Sequence, residues 1–141
     1  MSIKCKLVHD NAVLPAKAGP SEIGYDITAI ELDKMYNENT YMFETGVQVQ
    51  PPPGYYLELI PRSSIIKSGY MLTNSVGIID PTYRGNIKIV LTKVEDSAQK
   101  LEVPFTKCQL VLRCIHDASI EEIDYNLEQT ERGDGGFGST D

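Results

Sequence analysis

Val76-Gly-Ile-Ile-Asp-Pro-Thr-Tyr-Arg-Gly-Asn-Ile-Lys-Ile-Val-Leu91 decides how this chain reads. Two apolar runs rich in β-branched residues flank a polar turn, which is the sequence pattern of a β-hairpin. Pro81 opens the turn by fixing φ, and Gly85 closes it because glycine tolerates positive φ. Between them the turn carries a carboxylate, a phenol and a guanidinium on Asp80, Tyr83 and Arg84. A plain connecting turn needs none of these. The stretch therefore marks both a β-fold and a candidate site.

Working outward, the elements stay short. Tyr55 to Ile60 reads as a strand running into Pro61-Arg62-Ser63-Ser64, and Ile65 to Ser68 as a short helix with Ser63 as N-cap and Gly69 as its stop. Pro51-Pro52-Pro53-Gly54 is a hard turn, since proline cannot donate to a sheet ladder. Tyr41 to Gln50 alternates through Phe43, Thr45, Val47 and Val49 and predicts one strand. Residues 31–40 are acidic and contain asparagine, and predict a surface excursion. Ile23 to Ile30 predicts a strand carrying Asp26, residues 3–8 an edge strand, and residues 9–20 a loop. Beyond the central stretch, Gln99–Val103 and Cys108–His116 predict strands, and residues 118–131 an exposed acidic segment. Short strands at this spacing imply an all-β sandwich or jelly roll with one short helix. With 141 residues the body, 1–131, is a single domain. Residues 132–141 are too glycine-rich to fold alone and form a flexible arm.

The formal net charge of −7 argues against a general nucleic-acid binder, which presents a basic face. It also repels a bare anion at long range, so a phosphate site must rely on local arginines, backbone N–H groups or a divalent cation. Arg62, Arg84 and Arg132 all sit in turns or Gly/Ser-rich segments, where such a clamp is built. Cys5, Cys108 and Cys114 have no disulfide spacing and are expected as free thiols in a reducing compartment. Cys114 and His116 lack the further ligands a zinc site needs. No apolar run reaches signal-peptide or membrane-span length, so a soluble intracellular protein without a membrane partner is expected.

Two further segments carry chemistry. At Pro61-Arg62-Ser63-Ser64 a strand gives way to a helix start, where unpaired N–H groups, two hydroxyls and a guanidinium suit phosphate oxygens. In Arg132-Gly133-Asp134-Gly135-Gly136-Phe137-Gly138-Ser139-Thr140, glycines free the backbone to wrap an anion, and Phe137 can cover a planar base.

Taken together, Ile23-Gly24-Tyr25-Asp26, Pro61 to Ser64, Gly77 to Gly85, Gln109-Leu110 and Arg132 to Thr140 resemble, in order, the motifs of the trimeric deoxyuridine triphosphatase (dUTP diphosphatase) family. The resemblance covers nearly the whole chain. It implies a distorted jelly-roll, or β-clip, subunit and a homotrimer with sites at subunit interfaces. Each site would join the Asp80 turn of one chain, the Arg-Ser segment of a second and the arm of a third. The reaction implied is dUTP plus water giving dUMP and pyrophosphate, with Mg2+ held through phosphates and water rather than by protein ligands.

By resemblance, Asp80 activates the attacking water and contacts the ribose 3′-hydroxyl, and Tyr83 packs beneath the sugar to exclude a 2′-hydroxyl. Uracil is read by backbone around Gly77, Ile78, Ile79 and Lys88, assisted by Asn74. Arg62, Ser63, Ser64 and Gln109 act on the α- and β-phosphates. Arg132, Gly138, Ser139 and Thr140 close over the γ-phosphate, with Phe137 stacked on the base. Asp26 supports the Asp80 turn; Arg84 is part of the motif, and our own expectation is that it braces the turn or a subunit contact. The chain departs from the family pattern at Ile23, usually Ala, at Ser64, usually Gly, and at Pro104-Phe105-Thr106-Lys107-Cys108, where a Gly-Asp-Arg-type turn is usual. Two rival readings are a catalytically weak dUTP-sensing module and a related dCTP deaminase. The deaminase needs a general base at the base ring that the central stretch lacks.

Overall fold

Residues 1–139 of the chain are described by a computed structural model. Ten strands account for nearly all of its regular structure: β1 Lys4–Leu7, β2 Tyr25–Ala29, β3 Glu31–Asn37, β4 Thr40–Glu44, β5 Val47–Gln50, β6 Tyr55–Pro61, β7 Tyr70–Leu72, β8 Gly77–Ile79, β9 Lys88–Lys93 and β10 Phe105–Cys114. They form a two-stranded sheet, β1-β5, and two four-stranded sheets, β2-β10-β6-β8 and β3-β4-β9-β7, all antiparallel. Of the two arrangements that the strand spacing left open, sandwich and jelly roll, this is the jelly roll that the resemblance implied.

The core lies between the sheets. Alternation puts Ile27, Leu57, Leu59, Cys108 and Leu110 inward from one large sheet and Phe43, Ile89 and Leu91 from the other. Phe43 and Phe105 meet edge to face across the layer, ring centroids 4.8 Å apart. Burial pushes the Cys108 thiol up to about 12, so this cysteine acts as a small apolar core residue.

The central stretch is β on both sides of its turn, but it is not a hairpin. β8 pairs with β6, while β9 pairs with β4 and β7, so the Asp80 turn is an arch that crosses from one sheet to the other. Local pattern specifies strands, whereas which strand pairs with which is set by the layers they bury against. Gly85 is likewise glycine for another reason. Its φ is not positive, but a Cβ there would overlap the Tyr83 phenol.

Four other expectations change. Residues 31–37 are a strand, exposed along its whole length, because β3 adds to the edge of β4 and the ladder accepts a polar sequence. The strand expected over 41–50 breaks at Thr45-Gly46, where Gly46 takes φ +68° and the chain changes sheet while keeping its inward parity. Residues 99–103 form no strand, and the last strand starts earlier, at Phe105. The helix is a single 3-10 turn, Ser63–Lys67, whose cap position is Arg62 in extended conformation; no side chain caps it, so Ser63 is not the N-cap. Gly69 does end it, with φ +78°.

Candidate active site

β8 is the outermost strand of its sheet, so one row of its backbone groups faces away from any partner strand. A cleft of about 240 Å3 opens there, lined by Gly77, Ile78, Ile79 and Asp80 from β8 and its end, by Asn74 before it, and by Tyr83 and Lys88 across the arch. The cleft therefore gathers those residues between 74 and 88 that were expected to read the base and sugar; Phe137 is not among its lining.

Asp80 leaves the end of β8 exposed, and its backbone carbonyl accepts from the Tyr83 N–H at 3.0 Å. Among the described residues its carboxylate has no ion-pair partner. Tyr83 folds back over Gly85 and donates its hydroxyl to the Asn86 carbonyl at 2.9 Å, which stands the ring along the cleft. Arg84 donates Nη1 to the Pro81 and Tyr83 carbonyls at 2.6 and 3.1 Å, so it braces its own turn.

A second cluster forms where β6 ends. Asp26 of β2 lies opposite Gln109 of β10, and Gln109 lies opposite Ile60 of β6. The Arg62 Nε meets Asp26 Oδ1 at 3.1 Å, and its Nη1 donates to the Thr106 carbonyl at 2.8 Å. Gln109 Nε2 donates to the Pro61 carbonyl at 3.2 Å and lies over Gly24, where a Cβ would overlap the carboxamide. A side chain at residue 24 would displace the Gln109 carboxamide from this place. Within the chain Asp26 thus holds Arg62. The pairing is physically sound, since a carboxylate fixes the guanidinium plane and leaves part of the fork for another anion. Ser63 and Ser64 are exposed beside it at the start of the 3-10 turn.

The two clusters sit apart in one chain. In the β6–β8 ladder Leu57 faces Ile79 and Leu59 faces Gly77, a register that puts Asp80 level with Tyr56, while Arg62 lies beyond the other end of β6. From Tyr56 to Arg62 the extended chain covers roughly 20 Å. No single side chain bridges that.

The hydrogen bonds of the arm's described residues are local. Arg132 Nε donates to the Gly135 carbonyl at 2.8 Å, Ser139 N–H to the Gly136 carbonyl at 3.0 Å, and Gly136 N–H to Ser139 Oγ at 2.8 Å. These bonds stay within the arm. Phe137 is fully exposed at φ +54°, next to Gly138 at φ +83°. Thr140 lies outside the described residues.

The sequence reading missed a third group. Glu44, the last residue of β4, accepts from the Gly46 N–H at 2.7 Å, from the Thr45 N–H at 3.1 Å and from Asn86 Nδ2 at 3.2 Å, and forms a close ion pair with Lys88. Burial pushes its carboxyl up, but the bonds from Lys88, Gly46 and Asn86 and the Lys88 charge outweigh that, and it titrates below its ordinary value. Burial alone would lower the Lys88 ammonium, yet the bonds and charges of Glu44 and Asp33 leave it raised. An acid ending an alternating strand just before a glycine is the only trace of this network in the sequence.

Among the described residues no three His, Cys, Asp or Glu side chains come together as a metal-ligating group, and no helix is long and apolar enough to cross a membrane.

Known proteins resemble this chain throughout. The dUTPase family profile matches residues 10–141. The deoxyuridine 5′-triphosphate nucleotidohydrolase of Clostridioides difficile is 33% identical over 140 residues, covering 99% of this chain and 97% of its own. That of Escherichia phage T5 is 35% identical over 145 residues, covering 98% and 97%. The dUTPase of Staphylococcus bacteriophage 80alpha, solved with dUPNHPP, superposes with a TM-score of 0.80 at 24% identity over 99% of this chain and 98% of that one. A variant of the phage phi11 dUTPase with a structural Mg(II) ion superposes at 0.76, with 20% identity over 91% and 100%. With a family match running from residue 10 to the last residue, the chain belongs to the dUTPase family.

Proposed function

We propose that this chain hydrolyses dUTP to dUMP and pyrophosphate, working as a homotrimer whose sites combine residues of different subunits. The observation that carries the composite site is the separation of Asp80 from its own Arg62 along the β6–β8 ladder. A triphosphate reaching Asp80 needs phosphate ligands close by, and a second copy supplies them if its Arg62, Ser63, Ser64 and Gln109 meet the arch of the first. The arm of a third copy, through Arg132, Gly138, Ser139 and Thr140, closes over the γ-phosphate, with Phe137 on the base.

The exposed edge of β8 suits uracil. Backbone N–H and C=O groups imitate a base-pairing partner, and cytosine would leave buried groups unpaired. Tyr83, held over Gly85, stands where a 2′-hydroxyl would project. Asp80 orients a water and accepts its proton as the water oxygen bonds to the α-phosphorus; the bond from that phosphorus to the α–β bridging oxygen breaks, and pyrophosphate leaves. Arginine and backbone donors around the phosphates stabilise the charge that develops. Mg2+ would be held through the phosphate oxygens and water, hard oxygen donors that suit this cation. When bound it neutralises phosphate charge, and the residue roles above do not depend on it.

The test is pyrophosphate release from a panel of nucleoside triphosphates with and without Mg2+. Rapid, preferred release from dUTP is expected. Ammonia release from dCTP, or binding of dUTP with no turnover, would overturn the proposal.

A further inference from the structure

The cleft has two walls, and the sequence motifs account for only one. Residues 86–88 form the other, and they are latched to the corner at residues 44–48. Asn86 is clamped from both sides: Nδ2 donates to Glu44 Oε1 at 3.2 Å, and Oδ1 accepts from Gln48 Nε2 at 2.9 Å. Ile87 donates its N–H to the Val47 carbonyl at 2.8 Å, and its own carbonyl accepts from Thr45 Oγ1 at 2.7 Å. Lys88 is held between Glu44 and Asp33, the latter at 3.0 Å. The Asn86 carbonyl in turn receives the Tyr83 hydroxyl. Glu44 is the hub: it belongs to the opposite strand, never lines the cleft, and touches both Asn86 and Lys88.

From this geometry we infer that Glu44 is a positioning residue that sets sugar selectivity. Through Asn86 it fixes the carbonyl on which the Tyr83 phenol rests, and through Lys88 it fixes the facing wall. Tyr83 is about half exposed, and its hydroxyl bond to the Asn86 carbonyl anchors the outer end of the ring. Loosening residue 86 frees the ring to swing, and space for a 2′-hydroxyl opens. The inference rests on the dUTP reading of the cleft.

Steady-state kinetics on dUTP and UTP with the wild-type chain, Glu44→Ala and Glu44→Gln test it. The alanine variant is expected to lower the preference for dUTP over UTP by about tenfold, the scale of losing a charge-assisted hydrogen bond. Its kcat for dUTP should stay within about threefold of wild type, because the Asp80 geometry is untouched. Glu44→Gln keeps the shape and one acceptor, so a smaller loss of preference is expected; it decides the matter if the alanine variant does not fold. An unchanged preference, or equal losses on both substrates, overturns the inference and makes Glu44 a purely structural residue. A wild-type chain that does not prefer dUTP at all would instead overturn the reading of the cleft.

Discussion

At the residue scale, Asp80 and Gly85 show how much one side chain, or its absence, can decide. Asp80 stands exposed at a strand end with no ion-pair partner among the described residues, a placement that suits a group meant to meet water and substrate. Asp80→Asn is expected to keep dUTP binding within a few-fold while turnover falls by about 100-fold or more, the usual scale for a lost general base. Isothermal titration with a non-hydrolysable dUTP analogue and pyrophosphate release would separate the two, and surviving turnover would refute the water-activating role. Gly85→Ala puts a methyl where the Tyr83 phenol lies. The ring must move, so acceptance of UTP should rise by roughly tenfold, a selectivity change of the size one displaced contact supports. Competition between UTP and dUTP would measure it, and intact rejection of UTP would show that Tyr83 does not guard the sugar. Glu44 has a depressed folded-state value, so its contribution to stability is complete above the ordinary carboxylate range and lost as the pH falls through that depressed value. Wild type should therefore melt above Glu44→Gln at neutral pH, and the two midpoints should converge in acid. A gap constant with pH would mean that the charge of Glu44 is not what stabilises.

At the element scale, the arch between β8 and β9 matters because it crosses sheets. A hairpin would keep both its strands in one ladder, whereas an arch leaves the outer edge of β8 open and places Lys88 on the facing wall. The arm is the opposite case. Its hydrogen bonds are local and its one aromatic is fully exposed, so it contributes little to the stability of the body. Ending the chain before Arg132 should leave the far-ultraviolet spectrum and melting midpoint almost unchanged while turnover drops roughly 100-fold, the scale of lost positioning at a reacting centre. Unfolding on truncation would refute a body that is independent of its arm.

At the scale of the whole molecule, the distance between the two motif clusters makes a composite site testable without a structure of the assembly. Chains carrying Asp80→Asn and chains carrying Arg62→Ala should each be nearly inactive alone. Co-refolded in equal amounts they should recover about a quarter of the wild-type activity, because in a symmetric ring that share of sites takes Asp80 from one variant and Arg62 from the other. No recovery, despite mixed trimers seen by native mass spectrometry, would show that each chain builds its site alone.

Much was readable from residues alone because it depends on local chemistry. Alternation marked the stretch that holds β4 and β5; apolar β-branched runs marked β8 and β9; Gly69 ended the 3-10 turn; and the charged turn marked the arch beside which the cleft opens. These signals survive in one dimension, since inward and outward positions repeat every second residue whatever the partner strand. Pairing does not survive in that way. That β8 and β9 separate into different sheets, that polar β3 is a strand, that Asp26 holds Arg62 and that Glu44 reaches Asn86 and Lys88 all follow from which surfaces are buried together. Contacts between distant residues are chosen by packing of the layers, and no short window of sequence contains both partners.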